Sequence, residues 1–192
     1  YNRATGEQIS SPRGKSPVIS VDGQALLYRI APQYSETRDA KIKKKKGDDM
    51  PKDTLVIMNL KSGEKQVFPR LKGVKYGREL QQYIAFQTSP EPAKKGEKKP
   101  TADKSAGTHL YLMNIKTSKL DTIDIVEKYT LTDDCEYLSY ITKPGKKDTV
   151  GVRGLNIKDL ATGKVTTILE GDKKMKVELP VYDNLYGRFA FY

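Results

Sequence analysis

Two kinds of β-hairpin alternate along this sequence, and their alternation restricts the fold more than any other feature. The first kind begins at residues 18–28, where apolar residues flank the pair Asp22-Gly23. This pair can adopt the positive φ angles that a two-residue hairpin turn requires. Similar strands that end in an aromatic residue recur at intervals of roughly fifty residues, at 82–86, 136–140 and 188–191. The recurrence predicts one structural unit that is built several times.

The second kind of hairpin lies between successive copies of the first. It consists of an apolar strand, a polar turn and another strand, at residues 55–67, 110–120 and 155–165, and residues 4–9 resemble the end of an earlier copy. The corresponding turn positions are Gly6, Gly63, Ser118 and Gly163. Two hairpins in a fixed order give four short strands per unit, which is the pattern of a β-propeller blade.

The repeats predict an all-β fold, a β-propeller fragment of about three full four-stranded blades with part-blades at both ends. An irregular β-sandwich is the alternative, because short strands at regular spacing suit both folds. The chain opens and closes inside such units, so we expect a fragment of a longer protein. The predicted boundaries are a blade end at 1–10, a blade at 14–68 with a polar insertion at 31–53, a blade at 72–125 with a polar insertion at 89–107, a blade at 126–169 and a blade start at 176–192.

The two polar insertions hold much of the basic charge of a chain whose net charge is +11. Each follows the second strand of its blade, so both are expected to project from the same face. The insertion at 89–107 is rich in Pro, Lys, Glu and Gly, which predicts a mobile loop. Acidic residues offset part of the basic charge in both insertions, and stacking aromatics are limited to Tyr34. We therefore interpret them as solvated loops and predict no nucleic-acid partner; an anionic partner, which could be a cell surface, an acidic peptide or RNA, is the alternative.

Motifs for hydrolytic or phosphate chemistry are missing from the sequence. There is no Gly-x-Ser-x-Gly element for a hydrolase nucleophile. Gly14-Lys15-Ser16 resembles the end of a phosphate-binding loop, but Ile9 stands where that loop requires glycine, and a strand is predicted to follow. Asp133-Asp134 is a candidate cation site. Its alignment with the first hairpin turn predicts another turn instead.

Single residues of the metal-binding and nucleophilic types limit the chemistry further. His109 is the only histidine, so multi-histidine metal sites are excluded, and we interpret it as a packing or surface residue. Cys135 is the only cysteine, which excludes an internal disulfide, and it falls at the turn position of Gly23. We therefore predict no catalytic, cofactor-binding or metal-binding residue and no cofactor. No apolar run is long enough for a membrane span.

A resemblance to a known family rests on the first insertion and on the strands. The run at 34–46, followed by 48–53, is similar to a recurring segment of bacterial exported peptidases of the prolyl oligopeptidase family, which includes dipeptidyl-peptidase-like enzymes. The strand segments at 25–28 and 137–140 and the turn at 159–164 also resemble that family's propeller strands.

The resemblance implies more than the residues show. Members of that family join an N-terminal propeller to a C-terminal α/β-hydrolase domain with a Ser-Asp-His triad, and the propeller restricts access of peptides to it. This chain would be a non-catalytic propeller portion of such a serine peptidase, with the hydrolase domain of the parent chain and peptide substrates as partners. The resemblance also implies a periplasmic or secreted location. A stand-alone propeller that binds a protein or a glycan is the alternative, and the fragment is expected to self-associate through uncovered sheet faces.

Overall fold

A computed structural model describes the chain at residues 6, 8–90, 106–146, 148, 151–172, 176–183 and 187–190. Over these residues the chain folds into antiparallel β-sheets with a single α-helix, so the fold class is all-β as predicted. Most of the predicted blade end at 1–10 and of the insertion at 89–107 lies outside the described residues. No helix in the described part is both long enough and apolar enough to cross a membrane.

Sheet 1 contains four strands in sequence order, each antiparallel to the next. Residues on the two central strands alternate between the faces, because successive side chains of a strand point in opposite directions. Leu27 pairs with Ile57 on one face, and Leu26 pairs with Met58 on the other. The strands are β1 (Gly14–Ile19), β2 (Ala25–Ile30), β3 (Thr54–Asn59) and β4 (Lys65–Phe68).

Sheet 2 contains the next seven strands, again in sequence order across the sheet. They are β5 (Leu71–Lys75), β6 (Tyr83–Thr88), β7 (Thr108–Asn114), β8 (Leu120–Leu131), β9 (Tyr137–Thr142), β10 (Arg153–Asp159) and β11 (Val165–Gly171). Two further strands, β12 (Val181–Asp183) and β13 (Arg188–Ala190), pair with each other.

The long strand β8 belongs to two successive units. Its first part pairs with β7 and its second part with β9, and Val126 is paired with both neighbours. Ile125 has a φ of 54°, outside the extended range, and the register shifts beside it. β8 therefore bends at Ile125, and the unit boundary between residues 125 and 126 stays a prediction. We refer to β5–β7 with 120–125 as the first half of sheet 2, and to 126–131 with β9–β11 as the second half.

One face of the first half of sheet 2 is covered by sheet 1, and the other is covered by the second half of sheet 2. Ile84 and Phe86 belong to a core shared with Leu27 and Leu55 of sheet 1, whereas Ala85 belongs to a core shared with the second half. Phe86 is fully buried, and burial of such a side chain contributes roughly 1.5–3 kcal/mol. Four-stranded antiparallel units thus stack face to face, which is the packing of β-propeller blades.

Within the described residues, the structure adds helix to the predicted fold in the first insertion. Residues 31–53 contain helix α1 (Tyr34–Ile42) and a short 3-10 helix (Gly47–Asp49) in place of a loop. The segment has no glycine or proline between 34 and 46, and Glu36 in the first turn and Lys41 in the last turn suit the helix dipole. The polar composition that predicted a solvated loop is also that of an exposed helix.

Candidate functional site

The stack of sheets has two different ends, because alternate loops of an antiparallel meander emerge at opposite ends. Short turns follow β1, β3, β5, β7, the second part of β8, and β10, and we call their side the turn end. The loops after β2, β6 and β9 emerge at the other side, together with the link from β4 to β5. We call that side the insertion end. The first insertion lies at this end, and so do the described flanks of the second, residues 89–90 and 106–107.

One turn geometry occurs twice at the turn end. The Ser20 hydroxyl donates to the Asp22 carboxylate at 2.6 Å and accepts from the backbone N–H of Ala25 at 2.8 Å. In the third unit the Thr132 hydroxyl donates to Asp134 at 2.5 Å and accepts from the N–H of Tyr137 at 3.0 Å. These bonds hold the pKa of each aspartate below its ordinary value, for Asp134 against an opposing effect of partial burial. Asp134 is therefore a turn residue, as interpreted from the sequence.

The turn around Gly23 is wider than the two-residue turn expected from the sequence. The flanking strands end at Ile19 and begin again at Ala25, so five residues form the loop. Gly23 has a φ of 67°, but Asp22 does not have a positive φ. The physical reason is the buried Ser20 hydroxyl, which binds backbone N–H groups across the loop and stabilises the wider turn.

Cys135 occupies the place of Gly23 in the third unit. Its φ is 59°, so a cysteine adopts the left-handed conformation that glycine has in the first unit. The thiol is buried beside Gly77, and burial raises its pKa. This confirms the interpretation of Cys135 as a turn residue. A raised pKa also leaves the thiol protonated and unreactive at neutral pH.

The outer hairpins repeat a second geometry. In each, a side-chain oxygen at the end of the third strand accepts two backbone N–H bonds, and a residue with positive φ closes the turn. The accepting residues are Asn59, Asn114 and Asp159. The closing residues are Gly63 at 74°, Ser118 at 58° and Gly163 at 74°, which confirms the turn positions predicted from the sequence.

At the insertion end, Arg70 joins the two insertions. Its guanidinium donates one hydrogen bond to the carbonyl oxygen of Pro90 at 2.8 Å and another to that of Asp48 at 2.5 Å. Ser89 donates from its hydroxyl to the Asp48 carboxylate at 2.8 Å and from its N–H to the Arg70 carbonyl at 2.8 Å. We call these four residues the Arg70 clamp. The clamp connects residues 48 and 70 with residues 89 and 90, the described start of the second insertion.

An open cleft of about 550 Å³ lies between helix α1 and the ends of the sheet 1 strands. Its lining contains both signs of charge. Arg13, Lys43 and Arg70 are among the positive residues, and Glu36 and Asp39 are among the negative ones. The Arg13 guanidinium is bound to the carbonyl oxygen of Ala31 at 2.8 Å. The cleft is therefore lined by cationic and anionic side chains, of which Arg13 is held in place by a backbone carbonyl.

A half-buried ionic cluster lies at the same end, in the second half of sheet 2. Glu127 accepts hydrogen bonds from Lys143 at 2.7 Å and from Arg153. Partial burial works to raise the pKa of Glu127. The hydrogen bond from Lys143 and the charges of Arg153 and Lys143 lower it by more, so the net shift of this pKa is downward. The ion pair between Glu127 and Arg153 links the second part of β8 to the start of β10.

The remaining residues singled out in the sequence lie apart from one another. His109 is exposed on β7 and contacts Asp124 at 2.6 Å, in agreement with a surface residue. Lys15 lies in β1 and forms an ion pair with Asp53 at 2.9 Å, so Gly14-Lys15-Ser16 belongs to a strand. Among the residues that the structure describes, no three His, Cys, Asp or Glu side chains are grouped to hold a metal ion.

The fold and its two ends define a portion of a β-propeller-type domain, and comparison with known proteins adds little beyond that class. No protein-family profile matches the sequence, and curated proteins give no match. Among solved structures, the β-propeller domain of the trilobed protease from Pyrococcus furiosus, described as having an open velcro topology, is similar at 15% identity and a TM-score of 0.44, over 84% of this chain and 43% of that one.

Two further solved structures illustrate the spread of these similarities. The tricorn protease is 13% identical with a TM-score of 0.44, over 95% of this chain and 17% of that one. TolB from Acinetobacter baumannii is 12% identical with a TM-score of 0.38, over 80% of this chain and 32% of that one. The chain spans less than half the length of each of these three proteins. Similarity at this level identifies neither a family nor a function.

Proposed function

We propose that this chain is the non-catalytic propeller portion of a serine peptidase of the prolyl oligopeptidase family, and that it gates access of peptides to a hydrolase domain of the parent chain. The observation that carries the proposal is the face-to-face stack of four-stranded units, whose insertions all emerge at one end. The family is suggested by the resemblance of residues 34–46 and 48–53.

The gating mechanism is steric and needs no reactive group in this chain. A wall of units buried on both faces does not open locally without exposing its core, because interiors packed at crystal-like density resist deformation. Phe86 lies at such a buried interface, where its ring contacts those of Phe68 and Tyr111 at centroid distances of 4.6 Å and 5.3 Å. A stiff wall excludes folded proteins and admits short or unstructured peptides. The peptidase partners and an exported location belong to this proposal.

The test uses the full-length product of the gene. We expect a Gly-x-Ser-x-Gly element beyond residue 192, labelling of that serine by a fluorophosphonate probe, and no label within residues 1–192. The enzyme should cleave a short peptide but not a folded protein that contains the same cleavage sequence. A coding sequence without a hydrolase domain, together with absence of labelling, would instead support the stand-alone propeller that binds a protein or glycan.

Gating itself is tested with a variant that weakens the packing between the stacked units. Phe86→Ala should raise the kcat/KM for a long unstructured substrate relative to that for a short peptide, because the wall then opens more readily. Val21→Ala, at a side chain that is 63% exposed, is the control and should leave the ratio unchanged. An equal change for both substrates in Phe86→Ala would contradict a size-dependent gate.

A further inference from the structure

Helix α1 has two faces of different chemistry. Glu36, Asp39 and Lys43 line the cleft beside sheet 1, and Ala40 is the buried residue of the helix. These positions lie three or four residues apart and therefore share one side of the helix. The opposite side carries Tyr34, Arg38, Lys41 and Ile42, which we call the outer face of α1. The acidic residues of the helix thus lie on the cleft side, and the outer face is basic and apolar.

The outer face exposes unusual amounts of apolar surface. Tyr34 is 82% exposed and Ile42 is 66% exposed, the two highest values among the large apolar side chains in the described part of the chain. The two residues are separated by about two helical turns, with Arg38 between them on the same side. Single exposed apolar residues need no explanation, but a tyrosine and an isoleucine aligned on one helix face are typical of an interaction surface.

The basic residues near this face are not neutralised by the described part of the fold. Lys41 and the lysines at 43–46 form no ion pair with any described residue, although Lys52 of the same insertion pairs with Asp48. Exposed lysines on the sheets, such as Lys65 and Lys72, likewise form no ion pair with a described residue. The outer face of α1 is therefore set apart by the exposed apolar side chains that its unneutralised basic residues flank.

We infer that the outer face of α1 docks onto an acidic surface of a protein partner that also offers apolar contacts for Tyr34 and Ile42. Positive and apolar groups that alternate along a helix match such a surface. Charge complementarity orients the encounter, and Tyr34 supplies contact area when the partner covers it. The inference does not depend on whether the parent protein is a peptidase.

Protein is favoured over two other anionic partners. The outer face offers a single aromatic ring for base stacking, whereas binders of single-stranded nucleic acid present several. A membrane surface would require a larger apolar face than two side chains on a nine-residue helix. An acidic protein surface with an apolar patch matches both the basic and the apolar side chains of the outer face.

The experiment uses the full-length protein in its own cells. Tyr34 is replaced by the photo-crosslinking residue benzoylphenylalanine, and the same residue placed at Lys65 on the exposed edge strand β4 is the control. After irradiation, mass spectrometry identifies the crosslinked segment. We expect the product at position 34 to involve a protein segment rich in Asp and Glu, with at least tenfold lower yield at position 65.

A charge-reversal pair then tests the electrostatic component. Arg38→Glu with Lys41→Glu should reduce the crosslink yield at position 34 about tenfold or more, since two attractive contacts become repulsive. The matched control, Lys65→Glu with Lys72→Glu, makes the same change in net charge and should alter the yield less than twofold. Crosslinking to nucleic acid or lipid, a yield no higher than at position 65, or equal effects of the two pairs would overturn the inference.

Discussion

The two ends of the sheet stack are built in different ways from the same repeat. At the turn end, short turns recur with the same hydrogen bonds, as at Ser20 and Thr132. At the insertion end, the described part of the chain contains one helix and the Arg70 clamp, and residues far apart in sequence form the clamp. The comparison shows that local, repeated interactions build the scaffold. Unique, long-range interactions give one end a surface of its own, on which both proposals about function rest.

The largest loss of stability is expected from a substitution at Gly77, where the turn end is tightly packed. Gly77 lies beside the turn of the third unit, and a Cβ there would come within 2.4 Å of the Asp133 carbonyl oxygen and 2.7 Å of the Cys135 sulfur. We expect Gly77→Ala to lower the free energy of unfolding by about 2–3 kcal/mol, because backbone atoms must move to admit the methyl group. Urea denaturation measures this loss.

The control for that change is a glycine of the same end with open surroundings. Gly63 has a φ of 74° and no atom within 4 Å of an added Cβ. Gly63→Ala should therefore cost only the conformational strain, about 1 kcal/mol. Equal losses in the two variants would show that close packing between units is not what sets stability at the turn end.

A smaller effect is expected from the repeated turn itself. Thr132→Val keeps the shape of the side chain but removes the hydroxyl that binds Asp134 and the N–H groups of Glu136 and Tyr137. The expected loss is about 1–2 kcal/mol, the usual cost of unsatisfied partners in a partly buried site. Thr122→Val, on an exposed position of β8, should leave the stability within about 0.5 kcal/mol of the native value.

The loss in Thr132→Val should also depend on pH. Partial burial works to raise the folded pKa of Asp134, but the hydrogen bonds from Thr132, from the Glu136 N–H and from Tyr182 together lower it below its ordinary value of 3.8. A depressed carboxyl pKa contributes stability that is fully present above 3.8 and lost as pH falls through the folded pKa. The difference between variant and native protein should thus be largest near neutral pH and shrink below it. A difference that grows in acid would contradict this assignment.

The smallest global effect is expected at the insertion end. Arg70→Ala removes the guanidinium that binds Asp48 and Pro90, at a cost of about 1 kcal/mol or less, because the site is exposed. Hydrogen exchange should be roughly fivefold faster in residues 46–50 and at Ser89, and unchanged in the β2 and β3 amides, because local opening is independent of the sheets.

Lys72→Ala, at an exposed position on β5 next to the clamp, is the control and should leave hydrogen exchange in both segments as it is. If Arg70→Ala instead accelerates exchange across sheet 1, the insertion end is part of the cooperative scaffold and the contrast between the ends is wrong.

The sequence by itself determined the all-β class, the positions of the outer turns and the role of Cys135 as a turn residue. These features depend on contacts between residues at most a few positions apart, such as Asn59 with the N–H groups at 61 and 62. Local chemistry of this kind repeats with the sequence and can be recognised in it.

Only the tertiary structure decided the width of the turn at Gly23, the bend of β8 at Ile125, the outer face of α1 and the Arg70 clamp. Asp48 and Ser89 are separated by 41 residues in sequence and become neighbours only because their units stack. Polar composition predicted exposure for residues 31–53 but not a helix, since exposed helices and solvated loops share that composition. The physical reason is that such contacts depend on how buried faces align the units, and no local pattern encodes that alignment.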